Sequence, residues 1–236
     1  TSPTNIAMAL AGALSALELG IAAQDETLAL CARILDTVER LPKWKGHLYN
    51  WYDTKTLRPL DPAYISTVDS GNLAAALLAS AAGLTAHGAP ALGERARSLA
   101  GAMDFAPLYD AKRRLFRIGL LPGESAPAQS WYDLLESEER LTAYFTVASG
   151  QIEKTHWQRL SRSQVSCKGR RGMVSWSGSL FEYLMPELFL PLYRGSHLWE
   201  SARFAVFVQR RRTAGAEKLW GVSESAFYAF DDTDHY

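Results

Sequence analysis

The chain has 236 residues, 47% of them hydrophobic, and its 25 basic side chains balance 25 acidic ones. A neutral chain of this size can bury a substantial core, and it offers no general electrostatic reason to bind nucleic acid or an anionic membrane. Its two cysteines lie far apart in no metal or redox spacing, and no apolar run reaches the roughly 18 residues of a bilayer span. We therefore expect a soluble domain without a metal or cofactor.

The first half of the chain predicts four helices in two pairs. Ser2 is the expected N-cap of the first helix, with Pro3 in its first turn, and Asp25 is the expected N-cap of the second. The first helix is apolar nearly all round, which predicts burial on most sides, whereas the second is amphipathic. The expected spans are 3–20, 25–41, 70–83 and 90–103.

A turn-bearing loop follows each of these helix pairs. The segment 43–69 is rich in aromatic residues, alternates in HLYNWYD and turns at DTKT. The segment 107–120, PLYDAKRRLFRIGL, has the same character. We expect a short hairpin in each loop.

The stretch 131–150, WYDLLESEERLTAYFTVASG, predicts a fifth helix closed by Gly150. On such a helix Glu136 and Glu139 project away from the apolar stripe, whereas Glu138 lies within it. A carboxylate on an apolar face is either paired, wrongly placed by the helix prediction, or kept for chemistry, because burying it unpaired costs several kcal/mol. From this helix alone, an ion pair and a catalytic role are equally good interpretations of Glu138.

The last third predicts a strand at GMVSW and two further helices, 179–190 and 197–213. The seven helices alternate between apolar and one-sided, which favours two concentric rings of helices. An all-α bundle of antiparallel pairs is the alternative.

Common catalytic motifs are missing: the chain has no phosphate loop, no GxSxG and no HExxH. What remains is carboxylates and aromatic residues in loops, the mixture that carbohydrate sites use, and glycoside hydrolysis needs two flanking carboxylates. Glu224, in a loop that no helical stripe explains, is either such a carboxylate or a helix cap. The candidate acids are Asp53, Asp69, Asp133, Glu138, Glu182 and Glu224.

Several long stretches closely resemble the glycoamylase-like domain of cyclic β-1,2-glucan synthases, and related domains of endo-β-1,2-glucanases. They occur in the same order from one end of the chain to the other: TSPTNIAM, GHLYNWYDTKTLRPLDPAYISTVDSGNLA, YDLLESEERLTAYFTVASGQIEKTHWQRL, MVSWSGSLFEYLMPELFLP and WGVSESAF.

The resemblance implies an all-α fold, an (α/α)6 barrel-type toroid with short β-hairpins between helices. Such a barrel needs about twelve helices, so seven make it incomplete, and residues 1–236 would form one domain from the N-terminal part of the barrel. Exposed inner surface would then favour self-association. The resemblance also places the chain on the cytoplasmic side of the bacterial inner membrane, with the membrane contacted only by other parts of a parent synthase.

The implied substrate is β-1,2-glucan, and the implied reaction is anomer-retaining transglycosylation that adjusts chain length. Glu138 would be the acid/base and Glu224 the nucleophile. A hydrolytic endo-β-1,2-glucanase and a truncated glucan-binding fragment without activity are the alternatives. For Tyr183 and Trp176 core packing is an equal alternative to sugar contact. The implied sugar contacts are Trp51, Tyr52, Asp53, Asp69, Asn72, Tyr132, Asp133, Trp176, Glu182 and Tyr183.

Overall fold

The computed structural model describes residues 1–123, 129–212 and 220–221. Within these ranges eight α-helices dominate, and the strands are two to four residues long, paired in two-stranded antiparallel ladders. The chain divides into two compact units. The first comprises residues 1–133 and 139–160, and the second comprises 134–138 and the described residues from 161 onward.

Among its described residues, the first unit holds six α-helices and six short strands. β1 and β2 form one hairpin and β4 and β5 another, while β3 pairs with the distant β6. Each predicted loop thus contains a hairpin, but the first one turns at residues 45–46 and not at DTKT, which is flanked only by an isolated bridge between Tyr52 and Pro59. The helices are α1 Pro3–Glu18, α2 Gln24–Arg40, α3 Thr67–Ala86, α4 Pro90–Gly101, α5 Glu139–Ala148 and α6 Thr155–Arg159. The strands are β1 Lys43–Trp44, β2 His47–Leu48, β3 Ile65–Ser66, β4 Tyr109–Asp110, β5 Leu115–Phe116 and β6 Gly119–Leu120.

α3 is the central helix of this unit, because it packs against α1, α4 and α5. Its N-cap is Ser66, whose side chain accepts a hydrogen bond from the Asp69 amide, so the helix begins three residues before its predicted start. Small residues allow its neighbours close approach. An aromatic and aliphatic core lies beside it, formed by Ile65, Ala74, Met103, Phe105, Leu108, Phe116, Phe145 and Ile152.

The starts of α1 and α2 test the predicted caps. Ser2 is confirmed as the N-cap of α1, since its side chain accepts from the Asn5 amide. Asp25 as N-cap is wrong: Ala23 occupies that position, and Asp25 lies in the first turn, where its charge favours the helix dipole. The expected burial of α1 on most sides is also wrong, because its buried residues form one face only: Pro3, Ala7, Leu10 and Leu14.

The second unit contains β7 (Gln164–Cys167), β8 (Arg170–Met173), α7 (Leu180–Leu184) and α8 (His197–Arg212). β7 and β8 form a hairpin, so the expected strand begins two residues earlier than GMVSW and ends at Met173. α8 agrees with its predicted span. α7 is shorter than expected and continues as one 3₁₀ turn that contains Pro186, because proline removes a helical hydrogen bond.

The predicted helix over 131–150 is wrong in its first half, since α5 begins only at Glu139. Trp131 instead bridges Arg117, and the Tyr132 amide donates to the Phe116 carbonyl, all within the first unit. In the second unit Leu134 bridges Ser161. These long-range backbone bonds replace the helical ones, which a periodic pattern cannot reveal.

None of the helices in the described ranges combines the length and the apolarity that a bilayer crossing requires.

The packing of α3 on α5 predicts opposite effects for two helical glycines. A Cβ added at Gly71 would collide with the side chain and backbone of Thr142, whereas at Gly12 on α1 it would meet nothing within 4 Å. We expect Gly71→Ala to lower the free energy of unfolding by about 2 kcal/mol through overpacking, and Gly12→Ala to leave it unchanged or raise it by up to about 1 kcal/mol. Urea denaturation measures both, and equal effects of the two variants would contradict the close helix contact.

Candidate functional site

In the first unit, Asp69 lies at the centre of a polar cluster at the start of α3. Its Oδ1 accepts from the Thr4 hydroxyl at 2.6 Å and from the Thr4 amide at 3.3 Å. The Asn72 amide nitrogen donates to the same Thr4 hydroxyl at 3.1 Å. Thr4 therefore ties the beginning of α1 to the first turns of α3.

The loop that carries Trp51 joins this cluster through Asn50. With the Asn50 amide oriented to satisfy its neighbours, its nitrogen donates to Asp69 Oδ2 at 2.9 Å and its oxygen accepts from the Trp51 indole Nε1 at 3.1 Å. Trp51 is 50% exposed. The cluster thus ends in an aromatic side chain that solvent, or a ligand, can reach.

The next two residues of this loop serve its structure. Tyr52 is buried, donates its hydroxyl to the Pro42 carbonyl at 2.5 Å and accepts from the Tyr49 amide. Burial raises the pKa of Tyr52 to about 12. Asp53 Oδ1 accepts from the amide and hydroxyl of Thr56, and these bonds hold the Asp53 pKa below its usual value. Direct sugar contact by these two residues stays a prediction.

The other predicted contacts of the first unit differ in accessibility. Asn72 is fully buried, Tyr132 is half-buried and Asp133 is exposed. Of the three, Asp133 presents its side chain most openly to solvent. The roles of all three as sugar contacts also stay predictions.

In the second unit the Glu182 carboxylate organises the loop SWSGS before α7. Ser179 and Glu182 form a capping box, in which each side chain accepts from the other residue's backbone amide. Glu182 Oε1 accepts from the Trp176 amide at 3.0 Å, and Oε2 accepts from the amide and hydroxyl of Ser177 and the hydroxyl of Ser175. These bonds explain why a carboxylate is only 6% exposed.

Trp176 and Tyr183 separate into a surface residue and a core residue. Trp176 is 59% exposed on the loop that Glu182 holds. Tyr183 is buried and donates its hydroxyl to the Met173 carbonyl at 2.7 Å, and burial is the main cause of its raised pKa. Core packing therefore describes Tyr183, while Trp176 offers a flat apolar face.

The candidate acid Glu138 lies in the turn directly before α5 and is half-buried. The stripe that singled it out does not exist, because residues 134–137 are not helical. The expected outward positions of Glu136 and Glu139 are wrong as well: these two side chains are 1% and 0% exposed. The second predicted catalytic residue, Glu224, lies outside the described residues.

Sequence reasoning missed a buried pair between Glu139 and His156 in the first unit. Glu139 Oε1 lies 3.0 Å from His156 Nε2, and both side chains are fully buried. His156 Nδ1 lies 3.0 Å from the Arg114 carbonyl, and the imidazole packs edge-to-face against Tyr109 and Phe116. Both ring nitrogens face oxygen atoms, so Nδ1–H donates to the Arg114 carbonyl and one proton is shared between Nε2 and Glu139 Oε1.

Burial and pairing shift the pKa values of Glu139 and His156 in opposite directions. Burial raises the pKa of Glu139, and it outweighs the opposing effect of His156. Burial alone would lower the pKa of His156, but Glu139 and the Arg114 carbonyl raise it above its usual value.

In the described part of the chain no group of three or more acidic, histidine or cysteine side chains could hold a metal ion.

The pair predicts a pH-dependent stability. Raised folded pKa values mean that the native protein holds protons more tightly than the unfolded chain. Stabilisation by His156 is therefore complete below its unfolded pKa of about 6.5 and is lost as pH rises through the raised folded value, and Glu139 acts in the same direction. Buried His47 acts in the opposite direction only up to its unfolded pKa of about 6.5, because burial lowers its folded pKa. We therefore expect the free energy of unfolding, from urea titrations, to fall between about pH 7 and pH 9.

His156→Gln should lower the free energy of unfolding at pH 6 by about 3 kcal/mol, because it leaves the fully buried Glu139 without its partner. The matched control is His87→Gln, since His87 contacts the largely exposed Glu18 at 2.8 Å. The control should lower the free energy of unfolding by less than about 1 kcal/mol and keep its wild-type dependence on pH. A loss of stability at pH 6 no larger than that of the control would contradict the buried pair.

Comparison with known proteins gives a match along nearly the whole chain. The chain is 28% identical to the cyclic β-(1,2)-glucan synthase NdvB of Rhizobium meliloti over an alignment of 358 residues that covers 98% of the chain and 13% of the synthase. The alignment is longer than the 236 residues of the chain. The synthase therefore holds additional residues between the matched segments. No family model matches the chain.

The fold is shared with solved glucanases. An endo-β-1,2-glucanase from Chitinophaga pinensis superposes with a TM-score of 0.77 at 15% identity, covering all of this chain and 62% of the glucanase. A β-1,2-glucanase from Parabacteroides distasonis gives a TM-score of 0.78 at 12% identity, covering 96% of this chain and 39% of the other. The chain is thus helical with few short strands, has the fold of glucoamylase-like (α/α)6-barrel enzymes, and spans only part of them. The expected resemblance to cyclic β-1,2-glucan synthases and endo-β-1,2-glucanases is confirmed.

Proposed function

We propose that the chain is a β-1,2-glucan-active enzyme domain that adjusts glucan chain length by anomer-retaining transglycosylation. The observation that carries this proposal is the match to a cyclic β-(1,2)-glucan synthase along 98% of the chain. The fold shared with two β-1,2-glucanases supports the same substrate class. The parent protein would then be a synthase that acts on the cytoplasmic side of a bacterial inner membrane.

Glu138 is the proposed acid/base and Glu224 the proposed nucleophile. Glu138 protonates the glycosidic oxygen while Glu224 attacks the anomeric carbon, so the bond to the leaving sugar breaks as a glycosyl–carboxylate bond forms. Glu138 then removes a proton from the incoming sugar hydroxyl, which displaces Glu224. The burial pattern supports Glu138: Glu136 and Glu139 are sealed from solvent, and Glu138 is only half-buried.

Aromatic side chains supply the second line of support. Trp51 and Trp176, both among the predicted sugar contacts, are 50% and 59% exposed. Flat apolar surface with a few polar groups beside it is what a sugar-binding site needs.

Hydrolysis and binding without turnover are the two alternatives to transglycosylation. Water in place of a sugar acceptor makes the domain a hydrolase, which the likeness to the endo-β-1,2-glucanase favours. A domain that binds glucan without turnover is the other alternative.

Incubation with linear β-1,2-glucan separates the three functions. Transglycosylation produces longer and shorter chains without an increase in reducing ends, whereas hydrolysis produces shorter chains with such an increase. Binding without either change, measured by calorimetry, would overturn the enzyme function and leave the binding one. Absence of both turnover and binding would overturn the proposed substrate.

The role of Glu138 predicts that Glu138→Gln lowers the turnover rate at least about 100-fold, because the amide cannot transfer a proton to the leaving oxygen. Glu94→Gln is the matched control, since Glu94 is an exposed carboxylate on α4 whose partners among the described residues are Arg97 and Ser98 of the same helix. The control should keep wild-type turnover. A fully active Glu138→Gln with wild-type circular dichroism would remove Glu138 from the acid/base role.

A further inference from the structure

Trp51 is half exposed, but the backbone around it is fixed at several points. The Trp51 backbone carbonyl accepts from the backbone amide of Leu60 at 2.9 Å. The backbone amide of the preceding residue, Asn50, donates to the Tyr64 carbonyl at 2.7 Å. The following residue, Tyr52, exchanges backbone hydrogen bonds with Thr1. The loop therefore presents the Trp51 side chain from a defined backbone position.

The indole itself is also held, by a series of polar side chains. Trp51 Nε1 donates to Asn50, Asn50 donates to Asp69 Oδ2, and Thr4 donates to Asp69 Oδ1. Only the edge of the ring that carries Nε1 takes part in these bonds. None of these hydrogen bonds involves the π faces of the ring.

Trp131 shows what a structural tryptophan looks like in the same unit. Its Nε1 also donates to a carboxylate, Asp110, at 3.1 Å, but the Arg113 guanidinium lies over its ring 3.9 Å from the centroid. Among the described residues no cation and no second ring stacks on Trp51. Trp51 is tethered like Trp131, but it has no guanidinium over its ring, and half of its side chain is exposed.

Asp69 is better suited to anchor this series than to bind a sugar. A carboxylate has about four acceptor positions, and three donors already occupy Asp69: the amide and the hydroxyl of Thr4, and the Asn50 amide group. Its position is fixed by the first turn of α3, where Ser66 caps its backbone amide. The anchor thus belongs to a rigid element.

We infer that Asn50 is a positioning residue that holds the Trp51 indole as a stacking platform for one glucose ring, and that Asp69 acts through Asn50 rather than on the sugar. This inference rests on the proposed function for its ligand. A platform fixed before binding loses less conformational entropy when the sugar arrives, so the tether contributes to affinity without touching the ligand. An untethered exposed indole would lose that freedom on binding.

A double-mutant cycle tests the coupling, with calorimetric titration of linear β-1,2-glucan oligosaccharides into the whole chain. We expect Trp51→Ala to raise Kd about tenfold and Asn50→Ala to raise it about threefold. In the Trp51→Ala background, Asn50→Ala should have no further effect, because Asn50 acts only through the ring. Leu60→Ala is the control, since Leu60 is 47% exposed on the same loop and should keep wild-type Kd.

The tether has a readout that needs no ligand. The indole N–H resonance of Trp51, identified by its absence in Trp51→Phe, should exchange faster with solvent in Asn50→Ala than in wild type. An equal exchange rate, or an equal effect of Asn50→Ala with and without Trp51, would overturn the positioning role. Wild-type glucan affinity in Trp51→Ala would overturn the platform.

Failure of the proposed function gives a different result. If wild type neither binds nor converts any β-1,2-glucan, that function falls and the platform falls with it, whereas the exchange measurement still decides whether Asn50 holds the ring. If wild type binds glucan and only the cycle fails, the function stands and the inference falls.

Discussion

The buried contact between Glu139 and His156 joins three elements of the first unit. Glu139 is the first residue of α5, His156 belongs to α6, and the imidazole reaches the Arg114 carbonyl in the turn between β4 and β5. Glu139 Oε1 and the imidazole can be buried here because they pair with each other, and Tyr109 and Phe116 pack against the ring, whereas Glu139 Oε2 is buried without a hydrogen-bond partner among the described residues. The start of α5 is fixed by this pair, and the candidate acid Glu138 is the residue directly before it.

Local signals predicted much of the fold, and nonlocal bonds explain the failures. The Ser2 cap, the span of α8 and the two hairpin loops follow from residues within a few positions of each other, and the structure has them all. The helix predicted to start at Trp131 failed because backbone partners far away in sequence hold residues 131–135. An amphipathic pattern contains no information about such partners.

The acids of the candidate site also divide into those that nearby residues explain and those that depend on distant partners. The Ser179–Glu182 capping box is a local S-x-x-E signature that could have been read from the sequence, and it assigns the carboxylate to the helix start. Asp69 could not be assigned in this way, because its partner Thr4 is 65 residues away. Family resemblance identified both acids as residues of interest. It did not distinguish a residue that touches the ligand from one that holds another residue in place.

Asp69 and Glu182 share an arrangement, although they belong to different units. Each carboxylate lies in the first turn of a helix and accepts from a loop that carries an exposed tryptophan: Asp69 through Asn50 to the Trp51 indole, Glu182 directly from the Trp176 amide. Helix first turns favour negative charge, so a carboxylate there is stable with several donors around it. In each unit, protein donors occupy most of the acceptor positions of the carboxylate, and the tryptophan is the exposed side chain. If the proposed function holds, substitution of Asp69 would change glucan affinity through the position of Trp51, without removing a contact to the ligand.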